Sequence, residues 1–336
     1  MEDFLDKYQK SNGTKSKSTI STMKQNIIRI EKLLGKKIDD FNEKDFKNVN
    51  GLVDEITEKY TLNSSIQTLL GIIKFLTFGD FNNSLIEEYR EVLNELVIER
   101  NQEQLNQDYR KNEEENWIDY PDLRKQVEEL VPDYLENKKA FSAYRNFLIL
   151  SLFTLIPPAR ISHYSNMEKR YKESMKIKPE SLPKRKNYII INGDGTHTFV
   201  FNKYKTSKTS GQVVHTIESE DLNKVLDKYF NDYNNDKKVK SFLINVNGKE
   251  MSQENITNSQ RSVTKKLLDK SISNNLFRHI YLTWFQSQNP SIEKKIRIGN
   301  LIGQKYKPTQ MEKYVRKKKE QEIVGDDSDD NDMVLD

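Results

Sequence analysis

"NNLFRHIYLTWF", residues 274–285, predicts a helix that is apolar on nearly every side. Arg278 lies one turn inside this helix. An arginine is rarely buried without a partner, because moving its charge out of water is costly unless an anion compensates. The segment therefore predicts an anionic partner for Arg278, either a carboxylate of this chain or a phosphate from outside it.

The composition is that of a charge-rich globular protein. The chain has 336 residues, of which 35% are hydrophobic and 32% charged, and its length predicts two domains. Its longest apolar run, "FLILSLFTLI" at residues 147–156, is shorter than the roughly 20 residues of a membrane-spanning helix. The polar start "MEDFLDKYQK" is unlike a signal peptide, so we expect an intracellular protein that is not secreted. The absence of cysteine excludes disulfides and thiolate metal sites.

The formal net charge of +4 conceals an uneven distribution. Residues 326–336, "DDSDDNDMVLD", contain six aspartates and no lysine or arginine, so the rest of the chain has a formal charge of +10. We expect this acidic tail to be disordered. Basic residues cluster at residues 169–186, 201–208 and 313–319. Such clusters suit a polyanion such as nucleic acid, although composition alone favours a solvated surface equally.

Residues 1–107 are predicted to form a small helical domain. Apolar residues recur at three- and four-residue steps behind Ser and Thr caps in the first of its helices. Its helices are expected at residues 16–34, 43–60, 63–79 and 85–106. The polar stretch at residues 101–117 is interpreted as a linker to the second domain.

The second domain, residues 108–325, is predicted to be helical around a small antiparallel β-sheet. Residues 187–217 contain β-branched and aromatic runs that are broken at "NGDG" and "SKTSG", which is typical of two hairpins. Helices are expected at residues 122–135, 139–155, 219–233, 253–270, 275–286 and 291–319.

Several kinds of catalytic site find no support in the sequence. The four histidines lie in separate predicted elements without the spacing of metal ligands: His163, His197, His215 and His279. The "NGDG" turn joins two strands and lacks the helix and lysine of a phosphate-binding loop, and no serine elbow is present. We therefore expect no metal and no cofactor.

A set of basic side chains at the ends of elements remains, followed by a tyrosine: Arg160, Lys205, Lys208, Arg278 and Tyr314. Phosphoryl transfer at a DNA backbone could use each of them. Two arginines can bind both non-bridging oxygens and stabilise the charge of the pentavalent transition state. A lysine can protonate the leaving 5' oxygen, and cationic neighbours can make a tyrosine nucleophilic.

In order along the chain, "PPARISHY", "YKTSKTSG", "NLFRH" and "LIGQKYKPTQMEKY" resemble the tyrosine recombinase, or phage-type integrase, family. The resemblance is to integrases of large DNA viruses, virophages and related transposons in particular, and it covers essentially the whole chain. It implies a two-domain DNA clamp that is mainly α with a small antiparallel sheet. Residues 1–107 would be the helical, SAM-like core-binding domain, and residues 108–325 the catalytic domain.

The resemblance also implies roles for single residues. Arg160 takes the place of the first family arginine and Arg278 that of the second. Lys205 fits the hairpin lysine, with Lys208 as its rival, and Tyr314 fits the nucleophile better than Tyr306 does. Side chains expected to contact DNA are Lys203, Lys208, His279 and Lys305.

Two positions depart from the family pattern. Asn275 stands where the family usually has histidine, and Gln304 stands where it has histidine or tryptophan. Both side chains can donate hydrogen bonds to phosphate, and we count both among the catalytic residues, but neither titrates near neutral pH. Catalysis is therefore expected to depend on the lysine, and to be slow or lost.

By resemblance, the expected function is site-specific DNA recombination or integration through a 3'-phosphotyrosine intermediate, without metal or nucleotide cofactor. The expected partners are double-stranded DNA and further copies of the chain in a homo-tetramer, with no membrane. The site of action would be the host nucleus or a viral replication site for a viral element, and the cytoplasm otherwise. Three alternatives stay open: a type IB topoisomerase, a DNA-binding relative without catalysis, and a metal-dependent transposase.

Each candidate also has a purely structural interpretation. Arg160 would be a cation at a helix C-terminus, Arg278 a member of a buried ion pair, and Gln304 a surface side chain. Lys205 and Lys208 would be solvated charges, and Asn275 would cap its helix.

Overall fold

The structure is a computed structural model that describes residues 1–11, 17–79, 81–107, 109, 111–172, 177–304 and 313–317. The chain divides into two compact units, Met1–Asn106 and Gln107–Asp336. The first unit ends next to the boundary expected at residue 107. Within the described ranges, no helix combines the length and apolar character needed to cross a bilayer.

The first unit is helical. Its helices are α1 (Glu2–Lys10), α2 (Lys17–Leu34), α3 (Val49–Lys59), α4 (Leu62–Phe78) and α5 (Asn83–Asn106). Helix α4 packs against both α2 and α5 and contributes fully buried apolar residues such as Leu69 and Ile72 to the core. A Cβ at Gly71 would lie 3.0 Å from Asn26 Cβ, so this glycine lets α2 and α4 approach closely. The helices predicted at residues 16–34, 63–79 and 85–106 are confirmed within a few residues at their ends. The helix predicted at residues 43–60 begins only at Val49, after a separate 3-10 turn at Glu43–Phe46, and α1 is an additional helix.

The second unit contains the remaining α-helices. They are α6 (Lys111–Glu115), α7 (Tyr120–Glu136), α8 (Phe141–Thr154), α9 (Ile161–Tyr164), α10 (Ser207–Ser210), α11 (Glu220–Lys228), α12 (Gln253–Leu268), α13 (Asn274–Ser287) and α14 (Ile292–Leu301). Helix α8 is apolar on all sides and therefore lies at the centre, with α7, α11, α12 and α13 packed against it.

A four-stranded sheet completes this unit. Its strands are β1 (Glu168–Tyr171), β2 (Tyr188–Ile191), β3 (His197–Phe201) and β4 (Val213–Thr216), in the order β1-β2-β3-β4. The pairs β2–β3 and β3–β4 are antiparallel, as predicted. Strand β1 pairs with β2 in parallel, so the sheet is mixed and not purely antiparallel. The sequence "EKRY" of β1 carries three charges and gave no strand signal.

The prediction at the end of the chain needs a correction. The helix expected at residues 291–319 ends at Leu301, because Gly303 follows with a φ of +72° and turns the chain out of the helix. Residues 313–317 are not helical. The predicted linker at residues 101–117 instead includes the end of α5 and all of α6. The expected acidic tail lies outside the described residues.

Candidate active site

Arg278 is buried, with 2% of its surface exposed. Its Nη1 donates to the Ile302 carbonyl at 2.8 Å and its Nη2 donates to Gln304 Oε1 at 2.9 Å. Burial lowers the pKa of Arg278 to about 10, so the side chain remains charged at neutral pH. Among the described residues no carboxylate forms an ion pair with it, so the interpretation as one half of a buried ion pair has no support in that part of the chain.

Arg160 is the second guanidinium of the site. It follows two prolines that keep residues 157–159 out of a helix, and it is the N-cap residue of α9. Its Nη1 donates to the Gly303 carbonyl, which also accepts a hydrogen bond from Thr206 Oγ1 at 3.2 Å. Arg160 and Arg278 therefore bind the carbonyls of consecutive residues just past the end of α14, where helix carbonyls lack partners. Arg160 therefore does interact with the C-terminal end of a helix. That helix is α14, however, and not α8, which precedes the two prolines.

Gly303 is required by this arrangement. Its φ of +72° is unfavourable for any residue with a side chain, and a Cβ there would lie 2.6 Å from His163 Nε2. His163 is fully buried, and its Nδ1 lies 3.1 Å from the Arg160 carbonyl. Burial, followed by the charges of Arg160 and Arg278, lowers the pKa of His163 to about 3. The ring is therefore neutral and fills the space beneath the two cations.

Tyr314 lies against the guanidinium pair. The centroid of its ring is 5.1 Å from Arg278 Cζ. Burial by itself would raise the pKa of Tyr314, but interactions with Arg278 and then with Arg160 outweigh it and lower the pKa below its usual value. A tyrosine with a lowered pKa forms its phenolate more readily and is a better nucleophile.

His279 connects Tyr314 to helix α13. Its Nδ1 lies 2.8 Å from the Tyr314 carbonyl, and its Nε2 lies 3.0 Å from Asn275 Nδ2 and 3.2 Å from Arg316 Nη2. A carbonyl can only accept, so Nδ1 carries the proton and Nε2 accepts from both neighbours. Burial and the charge of Arg316 lower the pKa of His279 to about 4, which keeps the ring neutral. With 5% of its surface exposed, His279 is engaged inside the chain. A contact of its ring with DNA stays a prediction that would require these bonds to be exchanged.

The two positions that depart from the family pattern differ in environment. Asn275 is exposed and its amide binds His279, whereas the N-cap of α13 is Ser273, whose Oγ accepts from Leu276 N at 3.2 Å. The interpretation of Asn275 as the cap is therefore wrong. Gln304 is only 6% exposed, so it is not a surface side chain, and it lies beside Arg278.

The predicted lysines lie in the connection between β3 and β4. Lys203, Lys205 and Lys208 are all exposed, and their side chains form no hydrogen bond with any described residue. Lys205 precedes Thr206, which is anchored on the Gly303 carbonyl, whereas Lys208 lies on the short helix α10. The structure thus brings Arg160, Arg278, Gln304 and Tyr314 together. It places Lys205 next to Thr206, which binds the same Gly303 carbonyl as Arg160. Lys305 and Tyr306 lie outside the described residues.

One basic cluster is partly internal. Lys169 in β1 is 3% exposed, and its Nζ donates to Asn234 Oδ1 at 2.8 Å and to the Asp236 carbonyl at 3.1 Å. Arg170 and Lys186 both pair with Glu168. A polyanion-binding role is therefore wrong for Lys169, which instead holds the turn at Asn234 and Asp236.

Sequence reasoning missed several residues of the site. These are Glu113, His163, Thr206, Gly303 and Arg316. A glycine just after an apolar helical run is a recognisable stop signal, so Gly303 could have been found. Glu113 and Arg316 are 203 positions apart, and nothing local links them. Among the described residues, no group of three or more histidine, aspartate and glutamate side chains could hold a metal ion.

The sequence matches no protein-family model and no curated protein. Solved structures do match. The crystal structure of a lambda integrase dimer bound to a COC' core site has a TM-score of 0.52 and 12% identity, over 96% of this chain and 99% of that one.

Two further structures match less well. They are a lambda integrase tetramer bound to a Holliday junction, at a TM-score of 0.49 and 13% identity over 96% and 80% of the chains, and XerA recombinase, at 0.39 and 13% over 95% and 93%. At such identities the likeness concerns the fold. The expected fold class is confirmed: the chain is mainly helical with a small sheet and has the fold of lambda integrase.

Proposed function

We propose that this protein is a metal-independent, site-specific DNA recombinase of the tyrosine recombinase family, acting as an integrase. The observation that carries the proposal is the position of the Tyr314 ring, 5.1 Å from the guanidinium carbon of Arg278. Arg160 and Arg278 hold two positive charges beside this tyrosine, and no described carboxylate pairs with either of them. Such a site suits an incoming phosphate diester. The lambda integrase fold supports the same conclusion.

In the proposed reaction, Tyr314 loses its phenolic proton to solvent, and the phenolate Oη attacks the scissile phosphorus and forms a 3'-phosphotyrosine bond while the bond to the 5' oxygen breaks. Arg160 and Arg278 stabilise the negative charge of the non-bridging oxygens in the transition state. Their existing bonds to carbonyl oxygens use only part of the five N–H donors of each guanidinium. Lys205 protonates the leaving 5' oxygen. The free 5' hydroxyl of a partner strand then attacks the phosphotyrosine, the bond from phosphorus to Tyr314 Oη breaks, and the hydroxyl gives up its proton as Tyr314 regains one, which restores a diester.

Gln304 accepts a hydrogen bond from Arg278, and Asn275 binds His279. Neither side chain titrates near neutral pH. We propose that they act only as hydrogen-bonding groups, so that all proton transfer to the leaving group falls to the lysine. Slow strand cleavage is the expected consequence.

The proposed partner is double-stranded DNA, on which the chain would assemble as a homo-tetramer. The lambda integrase dimer of similar fold is bound to a core site, and the exposed Lys203, Lys205 and Lys208 suit contacts with phosphates. We propose an origin in a virus or related mobile element, with action in the host nucleus or at a viral replication site.

A nicked duplex that traps the phosphotyrosine tests the proposal. The wild-type protein should form a covalent protein–DNA adduct, and Tyr314→Phe should form none, because it lacks the attacking hydroxyl. Tyr306→Phe is the matched control and should retain the adduct. Denaturing electrophoresis with labelled DNA measures both. An adduct that persists in Tyr314→Phe would show that another residue is the nucleophile.

A second candidate is a DNA-binding relative that has lost catalysis. It is favoured by Asn275, which stands where the family carries a histidine. The Asn275 amide binds His279. This candidate predicts that the wild-type protein binds the nicked duplex and traps no adduct.

A further inference from the structure

Arg316 follows the candidate nucleophile by two residues and is held by a buried ion pair. Its Nε donates to Glu113 Oε2 at 2.9 Å and its Nη2 donates to Glu113 Oε1 at 3.3 Å. The two side chains are only 8% and 13% exposed. A two-point contact between a guanidinium and a carboxylate fixes orientation as well as distance.

The same guanidinium reaches both sides of Tyr314. Its Nη1 donates to the Lys313 carbonyl at 3.1 Å. Its Nη2 lies 3.2 Å from His279 Nε2, and the opposite nitrogen of that ring lies 2.8 Å from the Tyr314 carbonyl. Arg316 therefore fixes the backbone on either side of the tyrosine, once directly and once through His279.

Residues 313–317, here called the nucleophile segment, are thus attached to two parts of the second unit. Helix α13 contributes His279 and also Thr283, whose Oγ1 accepts from Arg316 N at 2.9 Å. The segment that begins this unit contributes Glu113 from α6 and the Gln107 carbonyl, which accepts from Lys317 N at 3.0 Å. Among the described residues, none of these groups forms a hydrogen bond with the guanidinium of Arg160 or of Arg278.

We propose that Glu113 and Arg316 are positioning residues that, through His279, hold the nucleophile segment so that Tyr314 stays beside Arg278. This inference rests on the proposed function, because it gives the nucleophile of that reaction its support. The reaction would thereby depend on residues 107–115, which directly follow the first unit in the chain and contain none of the reacting groups.

The alternative is that Arg316 serves DNA binding and Glu113 merely screens its charge. The two roles predict different results for Glu113→Gln, which keeps the shape and removes the charge. If Arg316 is a phosphate contact, removing the carboxylate should strengthen DNA binding and leave cleavage intact. If the pair positions the tyrosine, DNA affinity should stay the same and cleavage should slow.

The experiment compares wild type, Glu113→Gln and Glu220→Gln. Glu220 pairs with Lys224 on the surface of α11 and is the matched control, because it loses an ion pair far along the chain from the site. Three quantities are measured. They are the amide hydrogen exchange of residues 313–317 in the free protein, the single-turnover rate of adduct formation at saturating nicked duplex, and the Kd for that duplex. Thermal unfolding confirms that each variant is folded, and Arg316→Lys replaces Glu113→Gln if the latter is not.

For Glu113→Gln we expect exchange at Arg316 and Lys317 to accelerate at least tenfold. Adduct formation should slow by about tenfold to a hundredfold, since a small misplacement of a reacting group has effects of that size. The Kd should change by less than about twofold, and Glu220→Gln should match wild type in every measurement.

Unchanged exchange and unchanged cleavage in Glu113→Gln would overturn the inference while leaving the proposed function intact. Tighter DNA binding at an unchanged cleavage rate would overturn it in favour of a phosphate contact. Failure of the wild-type protein to form an adduct would instead overturn the proposed function, and with it the role of Glu113 and Arg316 in cleavage. The exchange measurement would still show whether their ion pair holds the nucleophile segment.

Discussion

The candidate site consists of two regions that differ in how they hold their charges. In the inner region, Arg160 and Arg278 are bound to backbone carbonyls and Arg278 is 2% exposed. In the outer region, the β3–β4 connection, Lys203, Lys205 and Lys208 are exposed and their side chains make no hydrogen bond to any described residue. The groups that would stabilise charge are fixed before a substrate arrives, whereas those that would move a proton are not.

This difference has a physical meaning. Electrostatic stabilisation is most effective when its donors need no reorganisation during the reaction, so the inner region is suited to it already. A general acid must come within hydrogen-bonding distance of the leaving 5' oxygen. An exposed lysine side chain can reach that oxygen once the DNA is bound. Four predictions follow this division, beginning with the inner region.

Substitution of Arg278 should have the largest effect. Arg278→Ala should slow adduct formation by about a thousandfold, because removing one fixed donor to a transition-state oxyanion costs that much. Arg278→Lys keeps the charge but not the planar donor fork, so it should lie between alanine and wild type. Single-turnover cleavage measures both variants. A rate for Arg278→Lys equal to wild type would mean that the site needs only a point charge.

Lys205→Ala should slow cleavage by about a hundredfold or more, the range of a general acid. The loss should disappear on a duplex in which sulfur replaces the leaving 5' oxygen, because a thiolate leaves without protonation. Lys208→Ala, from the same connection, is the matched control and should change the rate by less than about tenfold. If the sulfur substrate rescues Lys208→Ala and not Lys205→Ala, then Lys208 is the acid.

Two glycines with nearly the same positive φ differ in how closely their surroundings are packed. Gly303 has a φ of +72° and meets His163, whereas Gly211 in the outer region has a φ of +71° and nothing within 4 Å of its Cβ position. Gly303→Ala should lower the free energy of unfolding by about 3–4 kcal/mol, because a Cβ meets His163, and Gly211→Ala, at a ψ of −158°, by about 1–2 kcal/mol from backbone strain alone. Urea unfolding measures both. Equal losses would show that the inner region is not tightly packed around Gly303.

Mild acid should destabilise the inner region through His163. The unfolded state binds a proton as the pH falls below about 6.5, while folded His163 stays neutral until its pKa of about 3, so the stability contributed by the neutral ring is lost as the pH falls between these values. At pH 5 the loss is roughly 2 kcal/mol. His163→Gln should therefore lose less stability between pH 7 and pH 5 in urea titrations. An identical pH dependence in the two proteins would contradict the neutral, buried ring.

Prediction from sequence worked where the signal was local and periodic. The apolar spacing of α2, α4 and α13 gave their positions, and the cost of burying a charge identified Arg278 as unusual. It failed for β1, whose "EKRY" is charged, and for Gln304, whose burial depends on the turn at Gly303. It could not foresee the pair of Glu113 and Arg316, because their contact exists only after distant parts of the chain have folded together.

The two guanidiniums of the site are held by adjacent peptide carbonyls, those of Ile302 and Gly303. Their separation is therefore set by main-chain geometry and not by the rotamers of neighbouring side chains. Insertion or deletion of one residue here would displace one anchor relative to the other, however conservative the new side chain. The number of residues in this turn is therefore more tightly constrained than the identity of most residues around it. Gly303 is constrained in both respects, because its carbonyl is one of the two anchors and its backbone conformation favours glycine.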